Sequence, residues 1–98
     1  MPTFKVSRKA RDDLILIGRY TEKEWGTSQR NIYLKQMDDC FHQIADTPEL
    51  GVTCDYIRKG YRKFPQGSHI IFYKQNRKRT VEIIRFLYES MDVSSKLP

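Results

Sequence analysis

From Arg8 onward, apolar or small residues recur at three- and four-residue steps: Ala10, Leu14, Ile17, Thr21 and Trp25. That spacing predicts one buried face of an amphipathic helix. Ser7 is placed to cap it and Gly26 to end it, with Asp12 and Asp13 in its early turns and Lys23 in its last, as the helix dipole favours. A second helix should follow at once, capped by Thr27 or Ser28, with Tyr33, Leu34, Met37, Phe41, Ile44 and Ala45 on its apolar side. Asp46-Thr47-Pro48 stops it. Two amphipathic helices joined at a single glycine imply an antiparallel hairpin, because a short connection forces neighbours to run in opposite directions.

The period then changes. Residues 4–7 read as a short first strand, and 49–55 as a loop. Strands are expected near 55–59 continuing through 61–64, then over 68–73 and 80–88, separated by Pro65-Gln66-Gly67 and by the polar turn Gln75-Asn76-Arg77-Lys78. Asn76 is the turn residue best suited to positive φ. The last strand is apolar on both sides, with Glu82, Ile84, Phe86 and Tyr88 alternating against Val81, Ile83, Arg85 and Leu87. The helical hairpin can cover one side; the other is the natural place for a groove, and Arg85 favours the second set there. Residues 94–98 read as a short tail. The fold class is α+β: an N-terminal strand, an antiparallel helical hairpin, then a three-stranded antiparallel meander.

Composition narrows the picture only in part. Ninety-eight residues make one domain, 1–98, since smaller pieces could not bury a core. Hydrophobic content of 39% with twelve aromatics suits a globular core rather than a disordered tail. The net charge of +6, concentrated at 5–11, 58–63 and 74–79, suits nucleic acid, a nucleoprotein complex or an acidic protein. No apolar run approaches the roughly 20 residues of a membrane span, and the N-terminus lacks a secretory signal. Cys40 and Cys54, in no metal-like spacing, read as reduced thiols of a cytoplasmic protein.

Candidate chemistry centres on the sheet. A nucleolytic site needs a general base, a general acid and cations for a pentacovalent phosphate, and Tyr61, Arg62, His69, Arg85 and Tyr88 are candidates. Their spacing is not diagnostic. His69, beside Ile70 and Ile71, reads better as a hydrogen-bonded sheet histidine, and His42 as a solvated one. Tyr88 reads as an amphipathic aromatic at the sheet edge. Arg85 can lay its stem across apolar neighbours and pair with a carboxylate such as Asp92 or Glu82, or contact a target. The 74–79 turn reads as a soluble hairpin tip. Aromatics are not interleaved with its charges, so direct nucleic-acid recognition has weak support. No phosphate loop, metal cluster or cofactor motif is present.

Two stretches carry a resemblance that these rules do not supply. Asp13-Leu14, Tyr20-Thr21, Trp25-Gly26 and Gln29-Arg30-Asn31-Ile32-Tyr33-Leu34 in the hairpin, with Arg58-Lys-Gly-Tyr-Arg-Lys-Phe-Pro-Gln-Gly-Ser-His, Ile71-Phe-Tyr73 and Arg85-Phe-Leu-Tyr-Glu-Ser-Met-Asp92 in the sheet, resemble ParE toxins of the ParE/RelE superfamily. The resemblance implies a type II toxin that traps DNA gyrase on cleaved DNA and blocks replication without catalysing a reaction. It also implies a ParD-like antitoxin whose tail lays a helix along the hairpin. Trp25, Leu34 and Met37 are the expected exposed parts of that antitoxin surface; Arg58, Arg62, Arg85, Met91 and Asp92 are the expected target-binding residues. Tyr88 stands where ParE toxins usually have a histidine, whereas RelE nucleases use a tyrosine near the C-terminus. A RelE-like ribosome-dependent mRNA endonuclease is therefore the alternative, and a relative that only pairs with its antitoxin is a third.

Overall fold

Strand β1 (Phe4–Val6) leads into helices α1 (Arg8–Trp25) and α2 (Thr27–Asp46), then a 3₁₀ turn (Pro48–Leu50). Four strands follow: β2 (Val52–Thr53), β3 (Tyr61–Gln66), β4 (His69–Gln75) and β5 (Val81–Tyr88). The computed structural model describes residues 4–88, 93 and 95–97. The sheet order is β1-β5-β4-β3-β2, with β1 parallel to β5 and every other pair antiparallel. The expected meander is β3-β4-β5, and a short strand extends it at each edge.

Ser7 caps α1 as its position predicts, its Oγ accepting from Ala10 N at 3.0 Å. The same hydroxyl donates to Ile84 O at 2.7 Å, so the cap also fastens the helix to β5. Gly26 serves both helices. Its N–H donates to Glu22 O at 2.9 Å and its carbonyl accepts from Arg30 N at 3.1 Å, with φ at 92°, a conformation that favours glycine. Gly26 itself, not Thr27 or Ser28, is thus the N-cap of α2.

The helix faces follow their periodicity with two corrections. Ala10, Ile17 and Thr21 are buried on α1 as expected, but Trp25 is 73% exposed, because a cleft rather than sheet lies beneath the last turn. On α2 Met37 is 0% exposed, so it is a core residue and not the exposed one expected. It packs with Ile17, Phe41, Ile44, Ile71, Tyr73, Val81, Ile83 and Phe86 between helices and sheet.

Simple alternation fails on β5. Phe72 pairs with Arg85 but Tyr73 pairs with Ile83, leaving Ile84 as the extra residue of a β-bulge. The bulge resets which side chains share a face. Phe86 joins Val81 and Ile83 on the helix side, while Ile84 and Leu87 belong to a second cluster with Cys54, Tyr61, Phe72 and Leu97. The face expected to carry a groove is therefore covered. Leu97, expected in a plain tail, is 4% exposed within that cover.

Two local expectations are also corrected. Residues 55–59 form turns rather than a strand: Ile57 N and Arg58 N both donate to Cys54 O, and Gly60 N donates to Asp55 Oδ1 at 2.8 Å. At the β4–β5 turn the positive φ belongs to Arg79 (65°), not Asn76. Asn76 instead accepts from Lys78 N and Thr80 N through Oδ1 and organises the turn by its side chain.

Candidate functional site

β1 ends at Val6, so β5 loses its parallel neighbour beyond Ile83 and exposes backbone that must find other partners. Asp13 of α1 supplies them. One carboxylate oxygen accepts from Phe86 N at 3.1 Å and from Arg85 Nε at 2.8 Å, and the other from Arg85 Nη2 at 3.0 Å. The pair is largely buried, with side-chain exposures of 16% for Arg85 and 12% for Asp13. The hydrogen bond to Asp13 holds the guanidinium further above its ordinary pKa, against the opposing effect of burial. The carboxylate partner of Arg85 is thus Asp13. Glu82 instead lies near Lys74 and Asn76, and Asp92 is outside the described residues. Asp13 was legible in principle: it falls at helical core spacing between Ala10 and Ile17.

The other expected target-binding arginines are also engaged. Arg85 Nη1 donates to Lys96 O at 3.1 Å and Arg58 Nη2 to Leu97 O at 3.5 Å, so these two grip the C-terminal segment from separate elements. Arg62 pairs with Tyr73 in register and donates to Gly51 O at 2.7 Å, on the helix side of the sheet. The three do not converge. Met91 and Asp92 lie outside the described residues.

Of the five nucleolytic candidates, Tyr61 is buried on the far face and Arg62 is tied to the loop before β2. His69, Arg85 and Tyr88 share the lining of one cleft of about 400 Å³. His69 lies against Tyr88, with ring centroids 4.3 Å apart and the ring planes tilted by 37°. Its Nδ1 lies 2.7 Å from Tyr33 Oη, which is 3.2 Å from Gln66 O. A proton on Nδ1 fits both contacts, since the imidazole then donates to the phenol and the phenol to the carbonyl. It leaves Nε2, which has no hydrogen-bond partner, as an acceptor rather than a stranded donor. Burial lowers the His69 pKa, with the Asp13 charge working against it. Burial likewise raises that of Tyr33. Burial thus favours the neutral form of both groups.

A second cleft, of about 560 Å³, adjoins the first through Tyr20, His69 and Tyr88 and continues to Trp25, Gln29 and Tyr33. Tyr20 and Trp25 are 54% and 73% exposed at its rim. On the other flank of α1, a groove of about 540 Å³ runs between the helices. Leu14, Ile15, Gly18 and Leu34 line it, with Met37 and Phe41 in its floor and the Arg30–Glu22 ion pair among its polar residues. Leu34, expected on the antitoxin surface, is there; Trp25 is in the aromatic cleft instead.

The family described as ParE toxin of type II toxin-antitoxin system, parDE, matches residues 4–93. The chain is 36% identical over 97 residues to Toxin ParE1 of Caulobacter vibrioides, covering 99% of each. It is 38% identical over 77 residues to Toxin ParE1 of Mycobacterium tuberculosis, covering 79% of each. A solved chain from the chromosomal ParDE TA system of P. aeruginosa superposes with a TM-score of 0.76 at 16% identity, covering 90% of this chain and 96% of that one. At that identity the superposition establishes a shared fold.

Proposed function

This chain belongs to the ParE toxin family of type II toxin–antitoxin systems, and we propose that it poisons DNA gyrase, holding the enzyme on cleaved DNA, and does so without catalysing a reaction of its own. The observation that carries this reading is the family match over residues 4–93. The state of the candidate acid–base groups supports the non-catalytic part. Arg85 is neutralised by Asp13, Arg62 is held by the Gly51 carbonyl, and His69 is buried with its basicity reduced. An endonuclease of the RelE kind needs exposed cations around a reacting phosphate, and those three residues do not provide them.

The cognate antitoxin is a ParD-like protein. Its tail lays a helix in the groove between α1 and α2, where the apolar floor provides burial and Leu34 a central contact. The toxin's charge of +6 attracts an acidic tail and speeds its encounter. Trp25 is the outlying contact of the same tail. The target surface lies toward the C-terminal end of the chain. Arg58 and Arg85 serve it by holding the segment that follows Met91 and Asp92, and Arg62 by bracing the loop before β2.

Expression without the antitoxin tests this. Growth should stop with induction of the DNA-damage response, and co-expression of the ParD-like protein encoded beside it should restore growth. Arrest with intact DNA and cleaved mRNA would overturn the gyrase reading.

A further inference from the structure

Charge is unevenly divided along this chain. The helical hairpin, residues 8–46, holds seven basic and seven acidic residues, whereas residues 56–81 hold eight basic residues and no carboxylate. The sheet register gathers much of that excess at one end. Tyr61 pairs with Lys74 and Phe4 with Val81, so the turn before β3, the β4–β5 turn and the start of β1 all lie opposite the end that holds His69 and Tyr88. Lys5, Lys59, Arg77, Lys78 and Arg79 are exposed there. None of the five has a side-chain hydrogen bond or ion pair among the described residues. Asp55 and Glu82, at the same end, are already engaged. Asp55 accepts from Gly60 N at 2.8 Å, and Glu82 lies 4.0 Å from Lys74 Nζ and accepts from Asn76 Nδ2 at 3.4 Å.

From this segregation we infer that the basic end of the sheet is a contact surface for the phosphate backbone of duplex DNA, independent of base sequence. From β1 to β3 it spans three strand spacings, about 14 Å, and over that width a duplex presents several phosphates. Residues 74–80 are Lys, Gln, Asn, Arg, Lys, Arg and Thr, all of them side chains that bind phosphate oxygens. They include no aromatic or apolar anchor of the kind that holds a protein partner, and lysine is depleted from such interfaces. Duplex DNA is therefore a better occupant than an acidic protein. The lack of aromatics also denies a single strand its stacking platform. The inference deepens the gyrase reading, on which it rests for its setting: the DNA held on the enzyme lies beside the toxin. The C-terminal segment assigned to the target reaches the same end, where Arg58 Nη2 donates to Leu97 O at 3.5 Å.

The test is fluorescence anisotropy of a labelled duplex of scrambled sequence, titrated with the purified full chain, without gyrase, between about 50 and 200 mM salt. Five free cations predict a slope of about −4 for log affinity against log salt. R77A/K78A should flatten that slope by about 2 and weaken binding roughly tenfold. Both side chains are exposed and unbonded, so circular dichroism should show the variant folded. R79N should also stay folded, since asparagine adopts the positive φ of that position, and should bind more weakly. K23A/K35A removes the same charge from exposed positions on the hairpin and should leave affinity and slope nearly unchanged. Equal losses in the two double variants would reduce the effect to net charge and overturn the inference. Absence of binding would overturn it too, as would tighter binding of the single strand or equal competition by polyglutamate, which would assign this end to an acidic protein. Because gyrase is absent, failure here leaves the gyrase reading standing, and failure of gyrase inhibition leaves this result interpretable.

Discussion

Asp13 carries more of the structure than its position on a charged helix suggests. Its two oxygens satisfy the Arg85 guanidinium and an otherwise unpaired β5 amide. Removing one member of a largely buried pair leaves the other charge stranded, at a cost of about 3–5 kcal/mol. D13A should therefore destabilise the fold by about that amount in urea titrations. The double variant D13A/R85L should recover part of the loss, because no unpaired charge remains. A double variant as unstable as the sum of the singles would contradict the pairing. His69 gives a second prediction. Burial lowers its pKa, so the unfolded chain binds more protons than the folded one below the ordinary histidine value of about 6.5. Stability from the neutral imidazole is complete above that value and is lost as pH falls through the lowered folded one. The melting temperature should drop more between pH 7.5 and pH 5 in the parent than in H69Q, which keeps the carboxylate titrations common to both. Parallel curves would show that His69 is not buried as described.

At the scale of elements, helix periodicity, the Ser7 cap and the glycine stop between the helices were legible because local spacing and local chemistry determine them. What escaped were features that need a partner distant in sequence. The bulge at Ile84 cannot be read from β5, whose residues are apolar on both faces, and it alone exchanges the faces that Phe86 and Leu87 occupy. The aromatic cleft draws on four elements, so no stretch of sequence announces it. The role of Leu97 was hidden for the same reason: it closes the far face only once Arg58 and Arg85 hold the backbone around it. L97A should then cost about 2–3 kcal/mol, at the lower end for a buried leucine because the segment can partly collapse. A change below about 0.5 kcal/mol by urea denaturation would return the segment to a plain tail. Gly67 is the matching turn prediction. With φ at 59° and a notional Cβ 2.6 Å from Tyr33 Oη, G67A should strain the turn and push on the Tyr33–His69 contact.

Across the whole molecule, two faces of one helix carry different surfaces. The flank of α1 toward α2 forms the groove assigned to the antitoxin, and the flank toward β5 forms the aromatic cleft. A chain of 98 residues has a small core, so a bound antitoxin should raise the melting temperature, and raise it further as free antitoxin increases beyond its Kd. The target is tested most directly by a supercoiling and cleavage assay with purified gyrase, run beside ribosome-dependent cleavage of mRNA. Supercoiling should be lost with accumulation of gyrase-dependent linear DNA, reversed by the ParD-like antitoxin, while mRNA stays intact. Unimpaired supercoiling together with mRNA cut on ribosomes would contradict it.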